Sequence, residues 1–259
     1  MTELDLSDGK LADFDPDSID DFRLIKWIDL SGNNLNSIPP WVFLCVNLER
    51  LDLDSNQLKS LPQELCNLVN LEILYLSNNQ LQSLPQELGN LVNLKQLILS
   101  GNQLKSLPRE LCNLVNLEIL YFGNNQLQSL PQELGNLVNL KLLYLDSNQL
   151  KSLPRELGNL VKLTHLHLRR NQLQSLPREL GNLVNLKTLS LSFNQLKSLP
   201  RELGKLNLEF LFLDNNPVQT TIALLQENYR IFIAERDATM QALKNSLDRD
   251  TLSVVVDFI

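Results

Sequence analysis

The 259-residue sequence predicts an elongated α/β solenoid, with a parallel sheet of about nine to ten short strands on the concave face of an arc. An extended or 3-10 outer wall and a helical C-terminal cap complete the expectation. Three observations carry it. A 23-residue cycle begins at Ile25 and restarts at Leu48, Leu71, Leu94, Leu117, Leu140, Leu163 and Leu186, with a shortened copy from Leu208 to Asn216. Apolar residues recur at alternate positions early in each cycle, and a proline recurs late in eight of them. A repeat of this length is one supersecondary unit that buries its apolar flank only against its neighbours.

Counting the first residue of each cycle as offset 0, offsets 3 and 5 are apolar, as in Leu97 with Leu99 and Leu166 with Leu168. This is the signature of a short strand buried on one face. Offsets 2, 4 and 6 then point to the opposite side. Offset 8 is always asparagine: Asn33, Asn56, Asn79, Asn102, Asn125, Asn148, Asn171, Asn194 and Asn216. An amide both donates and accepts, so a stack of them can satisfy the backbone groups where the chain leaves the strand. Proline at offset 14 (Pro39, Pro62, Pro85, Pro108, Pro131, Pro154, Pro177, Pro200) removes a donor and biases its predecessor toward extended geometry. Too few residues remain for a long helix, so the outer wall is extended or 3-10, with leucines at offsets 17 and 20 turned inward.

Offset 18 holds Cys66, Cys112, Gly89, Gly135, Gly158, Gly181 or Gly204. Alternation of Cys with Gly calls for small size rather than a positive φ. The third cysteine, Cys45, stands where other cycles have leucine. All three read as small buried thiols of a reducing compartment, without a basic partner to activate them.

The recurring residues L-x-x-L-x-L-x-x-N-x-L-x-x-L-P resemble the intracellular, Leu-Pro type of leucine-rich repeat over residues 25–216. The resemblance implies an arc that binds other macromolecules, usually proteins, on its concave sheet. Residues 1–24 read as a degenerate capping coil, because Leu4, Leu6, Leu11 and Phe14 echo offsets 3, 5, 10 and 13. Residues 217–259 read as a helical cap. Thr220 or Thr221 would cap a helix through Leu247, and Asp250 with Thr251 would open a short final one.

The formal charge of -7 is concentrated at one end. Eight acids fall in the first 21 residues against Lys10 alone, leaving 22 acids and 22 bases elsewhere. A balanced body has no field to draw it to nucleic acid or an anionic bilayer. Neither a secretory signal nor a membrane span is read from the sequence, and a cytoplasmic monomer is expected, with export by a specialised machinery left open.

Aligning offsets 2, 4, 6 and 7 gives the expected working surface. Trp27, Asp29, Arg50, Asp52 and Asp54 form an acidic end; Ile73, Tyr75, Ile98, Ile119, Tyr121, Leu142 and Tyr144 form an exposed apolar and aromatic band. His165, His167, Arg169 and Arg170 follow, and Phe193, Phe210 and Phe212 close the row. Exposed bands of this kind mark interaction surfaces, and aromatic and arginine side chains dominate binding hot spots. Residues 56–101 and 102–147 are near copies that differ at seven positions, of which five (Gln96/Leu142, Ile98/Tyr144, Ser100/Asp146, Ser77/Gly123, Gly101/Ser147) lie at these offsets.

His165-x-His167 has a metal-compatible spacing, but the neighbouring offsets supply no clear third ligand and Arg169 and Arg170 oppose a cation. No Gly-rich phosphate loop or nucleophile elbow occurs, so no metal, cofactor or catalytic residue is expected. The expected function is a non-enzymatic protein-binding module. The alternatives are an exported inhibitor or small-GTPase regulator, and a self-associating structural protein.

Overall fold

A computed structural model describes residues 2–218 and 231–232. Every cycle contributes one three-residue strand to a single parallel sheet. The strands are β1 (Glu3–Asp5), β2 (Trp27–Asp29), β3 (Arg50–Asp52), β4 (Ile73–Tyr75), β5 (Gln96–Ile98), β6 (Ile119–Tyr121), β7 (Leu142–Tyr144), β8 (His165–His167), β9 (Thr188–Ser190) and β10 (Phe210–Phe212). A two-residue β11 (Ile231–Phe232) pairs with β10, and spatial order follows chain order throughout. The expected helical cap lies outside the described residues except at Ile231 and Phe232, which extend the sheet as β11 where the sequence reading placed helix.

Register follows the 23-residue period: Leu51, Leu74, Leu97, Leu120, Leu143, Leu166 and Leu189 pair in one row and all are fully buried. Leucines of the outer wall meet them from the other side. Leu88 and Leu91 are fully buried, as are their equivalents in the neighbouring cycles. Burying one such side chain is worth about 1.5–3 kcal/mol, so the repeated leucines hold each coil to the next. After each proline the wall forms a single five-residue 3-10 turn, such as Gln86–Asn90, because the chain must return to the sheet within a few residues.

The asparagine at offset 8 is bonded on both sides of its amide. In Asn102, Nδ2 donates to the carbonyls of Leu76 at 2.9 Å and Leu99 at 3.1 Å, and Oδ1 accepts from the Leu81 N–H at 3.0 Å. The same bonds recur through Asn194. A second column, at offset 22, is not anticipated in the sequence reading. Asn70, Asn93, Asn116 and Asn139 each donate to the valine carbonyl one cycle back, at 2.8–3.0 Å. Lys162 interrupts it, and Asn185 resumes it with a bond to the Val161 carbonyl at 2.7 Å.

Gly89, Gly135, Gly158 and Gly181 have no positive φ; a Cβ there would strike the glutamate of the next cycle. Size, not backbone conformation, governs this position. The thiols that share it are buried, and desolvation pushes Cys66 up to about 11 and Cys112 to about 12. They are inert packing groups rather than nucleophiles.

At the N-terminal end β1 pairs with β2, which places Leu4 and Leu6 in the core. Asp15 and Asp21 accept from the N–H groups of Asp17 and Arg23 and so open the short 3-10 turns that follow. Phe14 and Phe22 pack on Trp41, with ring centroids 5.2 and 6.1 Å apart, covering the first outer-wall turn.

Candidate protein interface

The strands present offsets 2 and 4 in two continuous rows away from the leucine core. One row runs Trp27, Arg50, Ile73, Gln96, Ile119, Leu142, His165, Thr188, Phe210; the other runs Asp29, Asp52, Tyr75, Ile98, Tyr121, Tyr144, His167, Ser190, Phe212. All nineteen residues expected on the working surface fall on these rows or on the turn that follows each strand.

The expected exposure of this band needs correction. Tyr121 is only 4% exposed and Asp52 8%, and most of the others are half-buried. The cause is the strand spacing of about 4.8 Å, which brings large side chains into mutual contact. Tyr121 and Tyr144 rings lie 4.2 Å apart between centroids, and Tyr144 stacks on His167 at 4.1 Å with 20° between planes. Tyr75 donates its hydroxyl to Gln96 Oε1 at 3.2 Å. The band is therefore a pre-packed aromatic and aliphatic platform. Ile73, Ile98, Ile119 and Leu142 are half-buried beside the ring stack.

The acidic end is also less anionic than its composition implies. Burial, with Asp54 and Asp29 adding like charge, pushes Asp52 up to about 7. Asp54 is raised chiefly by burial, while its Oδ1 accepts from the Ser77 N–H at 2.5 Å. Arg50 lies between two aromatic rings, 5.0 Å from the centroids of both Trp27 and Tyr75, and 3.9 Å from Asp52. These contacts join the acidic end to the aromatic platform rather than leaving a free field.

His165 and His167 do not converge on a point that suits a cation. Their ring centroids are 6.5 Å apart, His165 Nδ1 lies 2.9 Å from Thr164 Oγ1, and His167 Nδ1 lies 3.7 Å from Asp146. Burial, with His167 and Lys187 adding positive charge, lowers His165 to about 4, so it is neutral near pH 7. Among the described residues no group of three His, Cys, Asp or Glu side chains could hold a metal ion.

Phe193, expected on the working surface at offset 7, stands on the turn after β9 with φ +58° and is 40% exposed. The guanidinium carbons of Arg169 and Arg170 lie 5.1 and 5.3 Å from its ring centroid.

Three buried side-chain polar atoms have no hydrogen-bond partner among the described residues: Trp27 Nε1, Arg50 Nε and His167 Nε2. All three belong to the rows that the strands present. A feature missed in the sequence is the column Val46, Val69, Val92, Val115, Val138, Val161 and Val184 at offset 21, just before each strand, 44–68% exposed. Its signal was a valine recurring beside the offset-22 asparagine. Among the described residues no helix is long and apolar enough to cross a membrane.

Comparison with known proteins agrees with this architecture. The family model described as "Leucine rich repeat" matches residues 1–58, 46–104, 92–150, 115–173 and 161–218. No curated protein matches the chain in sequence. A leucine-rich repeat protein of Leptospira interrogans is similar in structure, with TM-score 0.80 and 35% identity, over 90% of this chain and 60% of that one. The ectodomain of the plant membrane receptor kinase GASSHO1/SCHENGEN3 from Arabidopsis thaliana, in complex with Casparian strip integrity factor 2, aligns with TM-score 0.68 and 40% identity over 74% of this chain and 24% of that one. The plant peptide hormone receptor RGFR1, in complex with RGF2, aligns with TM-score 0.63 and 32% identity over 75% and 37% of the respective chains. The chain thus spans 60% or less of the length of each of these structures. With repeat matches running from residue 1 to residue 218, the chain belongs to the leucine-rich repeat family.

Proposed function

We propose that the protein is a binding module that seats a protein partner on its strand face between Trp27 and Phe212, without chemistry of its own. The observation that carries this reading is the platform itself. The Tyr121, Tyr144 and His167 stack is already ordered, with half-buried Ile73, Ile98, Ile119 and Leu142 beside it, and the three buried polar atoms without a partner among the described residues lie on the same face. Ordering these side chains in the free protein lowers the entropy lost on binding. Two similar solved structures, the ectodomain of a plant membrane receptor kinase in complex with Casparian strip integrity factor 2 and a plant peptide hormone receptor in complex with RGF2, support a binding use for this scaffold. Residues 1–24 then serve as a cap, supported by the β1–β2 pairing and the Phe14, Phe22 and Trp41 cluster.

The exposed valine column is the rival surface, since single valines repeated along an edge also make an apolar strip. Two sets of substitutions separate the two. Ile73, Tyr75, Ile98 and Leu142 changed together to Ser should retain the far-UV circular dichroism of the parent and lose capture of partners. Val92, Val115 and Val138 changed to Ser should capture as the parent does. Capture lost only by the valine set would refute the platform reading.

A further inference from the structure

One column of the solenoid shows a strained exception. The residue at offset 7 has a left-handed backbone in every coil: Asp8, Gly32, Ser55, Asn78, Gly101, Asn124, Ser147, Arg170, Phe193 and Asn215, with φ from 53° to 70°. Eight of these ten are Gly, Asn, Ser or Asp, which are small or can bond their own backbone and so tolerate the conformation. Arg170 and Phe193 are neither. A bulky side chain held at positive φ is an outlier that the surrounding structure must sustain, and such outliers cluster at ligand clamps.

Both exceptions are neighbours, and a third residue joins them. Arg169 and Arg170 place their guanidinium carbons 5.1 and 5.3 Å from the Phe193 ring centroid. The six other described arginines all lie within 4.0 Å of a carboxylate, namely Arg23, Arg50, Arg109, Arg155, Arg178 and Arg201. Arg169 and Arg170 form no ion pair among the described residues. A guanidinium held over an aromatic ring keeps N–H donors free for a partner, and a guanidinium fork grips a carboxylate through two parallel hydrogen bonds.

We propose that Arg169 and Arg170, held over the Phe193 ring, form a clasp for a Glu or Asp side chain of an extended protein segment that lies across the strand face. This deepens the binding-module reading and rests on it. Charge favours a carboxylate over a phosphate. Asp146 accepts from the backbone N–H of Arg169 at 2.6 Å, and Asp214, two coils on from Arg169, accepts from Ser192 Oγ at 3.2 Å, so an acid lies on each side of the arginine pair along the sheet. A dianion meets little net attraction there, whereas a monoanion gains directed hydrogen bonds. The occupant is a side chain rather than a chain terminus, because apolar surface continues past the clasp. Tyr144 and His167 precede it, while Phe210 and Phe212 follow it with ring centroids 6.3 Å apart. A segment following the platform passes the arginines and goes on.

The test is selection of random dodecapeptides on the immobilised full chain, followed by fluorescence anisotropy with the synthetic consensus peptide. The clasp predicts one invariant Glu or Asp flanked by apolar positions. Glu→Gln in the peptide and R169Q/R170Q in the protein should each weaken binding about 10-fold or more, on the ordinary worth of charged hydrogen bonds. Combined, they should cost little beyond either alone. R169K/R170K should recover only part of the affinity, because an ammonium lacks the fork. Apolar peptides with no acidic preference would overturn the clasp and leave the platform reading standing. Failure to enrich any peptide on the parent beyond an empty matrix would count against both. Tighter binding of the same peptide with phosphoserine at the acidic position, or of phosphatidylserine vesicles, would replace the carboxylate with a phosphate ligand and overturn the proposal.

Discussion

Asn102 Nδ2 lies 2.9 Å from the carbonyl oxygen of Leu76, 26 residues earlier, and that bond ties one coil to the coil before it. Because Asn102 is only 7% exposed, its partners have no access to bulk water when the amide is removed. Asn102→Ala strands the Leu81 N–H, which costs about 1–3 kcal/mol when buried and unpaired, and leaves the Leu76 carbonyl with the longer bond from Asn79 Nδ2 at 3.2 Å. A loss of about 1–3 kcal/mol is expected in urea unfolding. A loss below 0.5 kcal/mol would show that the column is ornamental.

The second asparagine column is broken by Lys162, whose Nζ reaches Asn139 Oδ1 at 2.8 Å instead of bonding the carbonyl behind it. Lys162→Asn restores the donor that Asn139 and Asn185 supply on either side. The column is solvent-exposed, so the gain is small, about 0.5 kcal/mol. Thermal unfolding of the variant should move upward; an unchanged or lower midpoint would contradict this account of the edge.

Asp52 stands nearly out of contact with water beside Asp54 and Asp29, which raises its carboxyl from 3.8 to about 7. The folded state therefore binds more protons than the unfolded chain between those two values, and stability falls as pH rises through this window. Asp52→Asn keeps an oxygen for the Asp54 N–H and removes the titration. The variant's advantage in melting temperature should grow from pH 4 to pH 7 and stay level above. An advantage independent of pH would place the ionisation elsewhere.

Phe193 is 40% exposed and held at φ +58°, so removing its ring does not open a core cavity. Asparagine accepts the left-handed region, and relief of the backbone outweighs the lost arginine contacts by about 0.5–1 kcal/mol. Phe193→Asn should therefore melt higher than the parent, against the loss of several kcal/mol usual for a buried Phe. Destabilisation by more than 1 kcal/mol would mean that the turn is not strained.

The fold was legible because each constant residue acts through the period. Leu74, Asn79 and Pro85 have one role each, repeated at 23-residue spacing, and a short-range pattern suffices to read it. The two rows facing away from the core were legible for the same reason, since side chains alternate along a strand. Contact between neighbours was not. That Tyr121 is buried against Tyr144, and that Asp52 loses much of its acidity, depends on large side chains meeting at strand spacing, which no single cycle records. Arg169, Arg170 and Phe193 could be named in sequence, but their union required the left-handed turn that tilts Phe193 off the strand row. The valine column and the second asparagine column were visible as recurrences. Neither position alternates with the buried leucines, so the strand pattern does not mark them.

The central claim is that a protein partner lies on the strand face. Site-specific photocrosslinking tests it most directly, with benzoylphenylalanine placed singly at Ile98, at Ile119, at Val92 and at Val138. Irradiation in extract should give the same discrete higher-mass adduct from Ile98 and Ile119 and none from Val92 or Val138. Adducts formed from the valine positions alone would contradict the account.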